Sequence, residues 1–567
     1  MTKLPFHQLH QLSPLSPLAA STNLIKTYCN SGRLSDARQV FDEMPDRDVV
    51  SWTAMICGPT ARPKYAWASF RSMASAGVNP NPFTLSSILT ACKAMELAGV
   101  TAAVHALVIR RGIEGQMHVD NAMVDAYSAC PGGIADARQV FDGISQRSPV
   151  SWTTIIAAYV RWGNGAAAVQ MCHRMFQEGA ELTPFTLSIT ARASAAVGSL
   201  MLGKQIHAAT FKMGHNINLH ISNAITDMYL RCMSFSDAKQ YFLEMSQKDL
   251  ITWNTMIAGL SCADSIDTFR LLLNMFSQSI QPNPFTFTSI ISSCAKLSVL
   301  SFGQQVHSSV LQRGFGQNQQ IANALIDMYA KCGSIADSQK VFHNICYRDL
   351  VSWTSMIIGY GVHGYGKEAI ELFNEMMICG IQPDSILFMG VISACSHAGL
   401  VEEGLNFFNL MERMYGVHPD KEVYGCVIDL LGRSGRLTEA SELIAKMPFE
   451  PDESLWGALL GACKMHSNVN LGSIVARKIL NLKPKGAKTY VIVSNIYAAM
   501  NEWASFAEMR KLMRGVGGKK EVGISWIEVR DEVYRFVASD RSNPCVSLAS
   551  EVLAMLIYHM DREMVGL

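Results

Sequence analysis

Excess charge is what this chain most conspicuously lacks. Its 48 Lys and Arg nearly cancel its 47 Asp and Glu, for a net charge of +1 over 567 residues. A protein that grips nucleic acid through a dense basic face is excluded, so any such binding must lean on base contacts. The fifteen cysteines contain no Cys-x-x-Cys, and none of the fifteen histidines is followed by Glu two residues later. A zinc deaminase needs both, because three ligands must leave one zinc position open for the attacking water while a separate Glu moves protons. No GxxxxGK[ST] loop suggests a nucleotide hydrolase. No 18-residue apolar run occurs either; the nearest stretch, Leu97–Ile109, is short and carries Thr101 and His105, so no membrane span is expected. Acidic residues are missing before Asp36, which suits an organellar transit peptide over 1–17, short or truncated because Lys3 is the one cation before Lys26. These absences predict a chain that is not an enzyme and holds no metal or cofactor.

What is present is a period. VVSWTAMI begins at Val49, PVSWTTII at Pro149, LITWNTMI at Leu250 and LVSWTSMI at Leu350, and Trp52, Trp152, Trp253 and Trp353 fall 100, 101 and 100 residues apart. Trp456 follows after 103. Between them lie PFTLSSILTAC, PFTLSITARAS and PFTFTSIISSC (from Pro82, Pro184 and Pro284), then DNAMVDAYSAC, SNAITDMYLRC and ANALIDMYAKC (from Asp120, Ser222 and Ala322). Three units of roughly 35, 35 and 31 residues therefore make each period. Each unit reads as two helices: SWTSMIIGYGVH stops at Gly364–Gly366, and Ala369, Leu372, Phe373 and Met376 then recur at helical spacing. The expected fold is all-α, a solenoid of helical hairpins, because such units bury their apolar faces against their neighbours. Unit 49–81 is two residues short, with Pro59 and Pro63 at its turn; unit 117–148 has one extra residue around Pro131, and 250–283 lacks one. Seven cysteines (Cys92, Cys130, Cys232, Cys294, Cys332, Cys395 and Cys463) are expected at one point of each first helix, as small buried hydrophobes kept reduced. His105, His207 and His307 lie on separate units, so they are read as packed or capping groups rather than metal ligands.

The triplet rhythm, with ARQVFDEMPDRDVVSW, GIQPDSILF and NALIDMYAKCGS, resembles the plant pentatricopeptide repeat family in its class of alternating P, L and S repeats. The resemblance implies a right-handed superhelix of about 13 repeats over 18–452. S-type units are 18–48, 117–148, 219–249 and 319–349; P-type are 49–81, 149–183, 250–283 and 350–384; L-type are 82–116, 184–218 and 284–318, and 385–420 and 421–452 close the array. Beyond it, 453–486 and 487–520 resemble the family's two E motifs. EVGISWIEVRDEVYRFVASDRSNP (521–544) alternates like a small β-hairpin and resembles the E-plus extension, with Val522 and Asn543 where the family usually has proline and histidine. The chain stops at Leu567, where related proteins continue into a deaminase domain.

In the family, the fifth and last residues of a unit read one base, and that resemblance assigns the candidate site. Thr22 with Asp48 would favour G, Thr53 with Asn81 A, and Asn121 with Ser148 a pyrimidine. Thr153 with Thr183 departs from the pattern. Asn223 with Asp249 and Asn323 with Asp349 would favour U, Asn254 with Asn283 C, and Thr354 with Asp384 G. The aspartates also sit where an N-cap is expected, and a polar fifth residue could simply face solvent. Yet the fifth residue is only Asn or Thr in all eight P and S units. Val50, Val150, Ile251 and Val351, second in their units, would wedge between bases or else be core aliphatics. With L units and the closing units left blank, the array reads 5′-G-A-n-Y-n-n-U-C-n-U-G-n-n-3′. The resemblance implies a factor that selects single-stranded organellar RNA for C-to-U editing, in mitochondria ahead of plastids. A DYW-type deaminase protein acting in trans and multiple organellar RNA editing factors are the implied partners. The rival readings are an organellar splicing, stability or translation factor and a tetratricopeptide-like protein-binding scaffold.

Overall fold

The computed structural model describes residues 17–57, 63–214, 218–263, 267–482, 487–499, 502–515, 524–529 and 532–537. The leader segment, Pro59, Val522 and Asn543 lie outside the described residues. Those residues hold thirty helices in consecutive hairpins, from Pro17–Asn30 to Trp503–Gly515. Two strands follow, β1 (Ile524–Val529) and β2 (Glu532–Val537), paired antiparallel with Ile524 opposite Val537. The helical chain forms two compact units, 1–260 and 261–567.

In the first unit, first helices of successive hairpins pack side by side: Pro82–Met95 lies on Met117–Ala129, and Pro184–Val197 on Leu219–Arg231. The boundaries are written in the sequence. The last residue of a repeat caps the first helix of the next at every junction of this unit but Gln116, and proline follows it at Asn81-Pro82, Ser148-Pro149 and Thr183-Pro184. A side-chain oxygen there satisfies an orphan N–H, and proline at the first helical position sacrifices none. Between hairpins, each tryptophan meets the phenylalanine of the preceding helix edge to face: Phe41 on Trp52 at 4.6 Å, Phe141 on Trp152 at 4.9 Å and Phe242 on Trp253 at 5.0 Å. Arg47 and Arg147 lie over the same phenylalanines and donate to the carbonyls of Phe41 and Asp42, and of Phe141 and Asp142, which closes the helix end. In the short unit 49–81 the first helix is described over Val49–Cys57, and Pro63 opens its second. The extra residue of 117–148 is absorbed between helices, where 130–133 replace the three-residue link 232–234.

The second unit repeats the logic. Leu350–Val362 packs on Ser385–Ala398, which packs on Lys421–Arg433. Phe342 meets Trp353 at 5.1 Å, with Arg348 above it. Ala369, Leu372, Phe373 and Met376 are buried in one continuous core with Trp353 and Ile357. The hairpins Glu453–Met465 with Val469–Asn481 and Ala487–Ala499 with Trp503–Gly515 continue the pattern. No helix among the described residues is long and apolar enough to cross a membrane.

The cysteines do not share one point of the fold. Cys92, Cys294, Cys395 and Cys463 lie inside first helices, whereas Cys130, Cys232 and Cys332 sit one turn later, at the residue that ends the helix. Cys232 and Cys332 are only half-buried; the other five are buried. Cys92 stands ten residues after its helix start at Pro82, whereas Cys130 stands thirteen after Met117, so the cysteine that closes a similar motif falls about one turn later. All the described cysteines are free, and burial pushes the Cys395 thiol up to about 12.

Candidate functional site

Within each compact unit the candidate residues fall at the N-terminal ends of the first helices, because the last residue of a repeat stands at the N-cap of the next first helix while the fifth residue lies near the start of its own. Asp349 shows the arrangement most fully. Its Oδ1 accepts from Ser352 N at 2.9 Å, from Ser352 Oγ at 2.9 Å and from Asn323 Nδ2 at 3.2 Å. Asn323 Oδ1 in turn lies 2.8 Å from Ser352 Oγ. The third residue of one unit thus locks the amide of the fifth residue of the unit before it and joins that amide to the cap. Burial alone would raise the Asp349 carboxyl, but the bonds from Ser352 and Asn323 outweigh it and hold it below its ordinary value.

The S-type units 117–148 and 219–249 repeat this geometry with variations. Asn121 Nδ2 reaches Ser148 Oγ at 3.5 Å, and Ser151 Oγ donates to Asn121 Oδ1 at 2.6 Å. Asn223 Nδ2 reaches Asp249 Oδ1 at 3.4 Å, but Thr252 gives its hydroxyl to Asp249 instead, at 2.7 Å. Asn223 Oδ1 is consequently buried without a hydrogen bond among the described residues. Asp249, like Asp349, is pushed up by burial and drawn lower by Thr252 and Asn223, ending below its ordinary value.

The P-type units join their pairs less directly. Thr53 Oγ1 meets Thr84 Oγ1 at 2.6 Å, and Thr84 forms a capping box with Asn81. Thr354, and Thr22 in the S-type unit 18–48, turn their hydroxyls back to Leu350 O and Leu18 O at 2.8 Å, away from Asp384 and Asp48, which accept from Leu387 N and Ser51 N. Thr153 bonds Val150 O at 2.9 Å and Thr183 caps Thr186 N, so these bonds do not join the pair, although both residues line one cavity. Asn283 caps its helix in a box with Thr286, and Asn254 is 9% exposed. None of the eight fifth residues is fully exposed.

The second residues decide between wedge and core. Val50, Val150, Ile251 and Val351 are 46%, 57%, 62% and 55% exposed, far from the core. Sequence reasoning stopped at these four, but the row continues through every L-type unit: Phe83, Phe185 and Phe285 are 66%, 69% and 54% exposed at the same register. Ile386 extends it, and S-type units place His118 and His220 there, with rings 6.3 Å from Phe83 and 5.9 Å from Phe185. The recurring Pro-Phe-Thr, counted in unit register, carried that signal. The buried third residues Ser51, Thr84, Ser151, Thr186, Thr252, Thr286 and Ser352 were missed too. An edge that alternates flat or branched apolar side chains with oriented amides, hydroxyls and carboxylates can sandwich planar rings and pair with their polar rims.

His105, His207 and His307 serve packing. Their Nδ1 atoms lie 3.0, 2.8 and 2.9 Å from the hydroxyls of Tyr127, Tyr229 and Tyr329 on the next unit. Among the described residues no cluster of three or more His, Cys, Asp or Glu could hold a metal ion.

Known proteins agree with this architecture. A family model described as the PPR repeat matches 20–49, 150–179, 351–381, 386–415 and 422–450, and one described as the E motif matches 466–528. A pentatricopeptide repeat-containing protein of Arabidopsis thaliana is 50% identical over 542 residues, covering 95% of this chain and 88% of the relative. The chloroplastic Arabidopsis relative DOT4 is 37% identical over 532 residues, 93% of this chain but only 61% of its own length. Among solved structures, the pentatricopeptide repeat protein PPR10 from maize superposes with a TM-score of 0.56 at 19% identity, covering 89% of this chain and 80% of that one. The same maize protein in complex with an 18-nt psaJ RNA element gives a TM-score of 0.51 at 18% identity, over 91% of this chain and 82% of that one. Fold, repeats and relatives converge: the chain belongs to the pentatricopeptide repeat family, carries that family's E motif, and is consistent with its PLS-class E subgroup.

Proposed function

We propose that this protein is a sequence-specific single-stranded RNA-binding factor that selects organellar transcript sites for C-to-U editing. The observation that carries the reading is the alternating edge: exposed Val50, Val150, Ile251 and Val351 frame fifth residues whose amides or hydroxyls are held in place. Unpaired bases offer both a stacking face and a Watson–Crick edge, and one base per helical repeat is a spacing such a row can match. In this reading the repeats wind as a right-handed superhelix, and the fifth and last residues, from Thr22 with Asp48 to Thr354 with Asp384, each take a base.

The E motif supports the second half of the proposal. Residues 453–520 with the following extension recruit a DYW-type deaminase protein in trans, together with accessory editing factors, and the target cytidine is brought to it by proximity. The relative named chloroplastic and the RNA carried by the maize neighbour support an organellar, RNA-binding role; the compartment is the mitochondrion or the plastid.

Deep sequencing of both organellar transcriptomes from a loss-of-function line tests the proposal. One or a few cytidines should cease to be edited. Intact editing at every site, with altered processing or abundance of a transcript, would replace recruitment with a role in splicing, stability or translation.

A further inference from the structure

The unit pair 149–183 and 184–218 is where the pairing pattern is silent, since Thr153 with Thr183 departs from it and L-type units were left blank. It is also where two consecutive first helices each carry an arginine without an ion pair, as Lys26 does on the first helix of the chain. Along the first helices, Lys93 is bound to Asp125 at 2.8 Å and Arg231 to Asp227 at 3.0 Å. The second unit does the same with Lys331 on Asp327 and Arg433 on Asp429, while Lys296 donates to Ser261 O and Lys464 stands exposed. Arg161 and Arg192 are exposed and form no ion pair with any described residue. Both line one cavity of about 770 Å³, with Val150, Phe185, Ser188 and His220. The one carboxylate on that wall, Asp125, is already neutralised by Lys93. The adjoining cavity of about 790 Å³, which Arg192 also lines, differs: its Arg231 is bound to Asp227, and its Asp249 accepts from Thr252 and Asn223.

We propose that Arg161 and Arg192 are the backbone anchor of the bound strand, holding the phosphate between its fifth and sixth array bases. This rests on the RNA-binding reading above. Two guanidiniums without a counter-charge call for an anion, and fork-shaped donors suit phosphate oxygens. The anion must come with a flat apolar group, because Val150 and Phe185, 57% and 69% exposed, stand on the same wall. A nucleotide satisfies both demands, whereas the side chain of an acidic peptide supplies only the charge. Affinity is thereby placed where base reading is weakest, and in a chain of net charge +1 two such contacts weigh heavily.

The test uses the whole protein and a 13-nucleotide RNA of the array-matched sequence, with a scrambled RNA beside it. Neutral methylphosphonate is placed at each linkage in turn, and binding is followed across a salt series. The linkage between the fifth and sixth bases should cost the wild type most and cost R161Q/R192Q nothing further. That variant should weaken matched and scrambled RNA alike and flatten the plot of log affinity against log salt by about 1.4, at ~0.7 per lost contact with a single strand. R71Q/K212Q, which removes two exposed cations from second helices, should leave the slope unchanged. A flat methylphosphonate scan, or an unaltered slope in R161Q/R192Q, overturns the anchor and leaves the arginines to another anion such as an acidic protein segment. Failure of the wild type to prefer matched over scrambled RNA would instead overturn the RNA-reading proposal itself.

Discussion

Replacing Asp349 by asparagine separates the two roles this residue could have. As a helix cap, asparagine ranks with aspartate, and its oxygen can still accept from Ser352 N, which sits 2.9 Å from Asp349 Oδ1. Stability should therefore move by no more than a few tenths of a kcal/mol. As a base reader, the substitution changes everything presented to the ligand: a charged acceptor becomes a neutral amide, and the pair Asn323 with Asp349 becomes the pair that Asn254 with Asn283 already is. The tenth base should switch from U to C. A well-placed pair of hydrogen bonds discriminates by about 1–3 kcal/mol, or roughly 5- to 150-fold. Asp349→Ala should differ on both counts, losing about 1 kcal/mol of capping and leaving Asn323 Nδ2 without its partner at 3.2 Å. Thermal unfolding followed by circular dichroism reads the first quantity, and fluorescence anisotropy with U- and C-bearing RNAs at one salt concentration reads the second. If D349N binds both RNAs in the wild-type ratio while unfolding normally, Asp349 is a cap and nothing more.

Three further outcomes follow from the same geometry. Val351→Ala should leave thermal stability almost unchanged, because the side chain is 55% exposed, yet weaken RNA binding at every sequence; unchanged affinity would return the row to mere surface. Trp353→Ala should cost about 3–5 kcal/mol in the second unit, since Trp353 is 1% exposed and packs on Phe342; a melting curve within a degree of the wild type would contradict the packing account. His307 is held below its ordinary value by desolvation, which Asp337 only partly offsets. It is therefore neutral in the fold, and its contribution is complete above the unfolded value near 6.5 and is lost as pH falls through the depressed native one. The melting temperature should drop between about pH 7 and 5, less so in H307Q; an equal drop in both would place the sensitivity elsewhere.

Much of this was legible in the residues. The tryptophan period announced the hairpins because Phe342 and Trp353 must meet at each repeat junction, and a residue pair that touches in every copy has to recur in every copy. Caps were legible for the same reason, as Asn81-Pro82 and Ser148-Pro149 show. What stayed hidden depended on three-dimensional register. Cys92 and Cys130 close similar motifs, yet one lies inside its helix and the other on the residue that ends it, and where each helix ends is settled by packing. Whether Val351 faced core or solvent could not be read from an aliphatic one position before a buried serine and two before a buried tryptophan. The lock of Ser352 on both Asn323 and Asp349 joins residues 29 and 3 positions apart, and no local pattern reveals it.

Selection from a randomised single-stranded RNA pool with the purified protein tests the central claim most directly. The account predicts enrichment of one motif in which U and C are adjacent, one open position follows, and U and G come next, with G and A six and five positions upstream of that first U. Recovery of no motif, or of a motif that keeps its bases when Asp349 is replaced by asparagine, would contradict it.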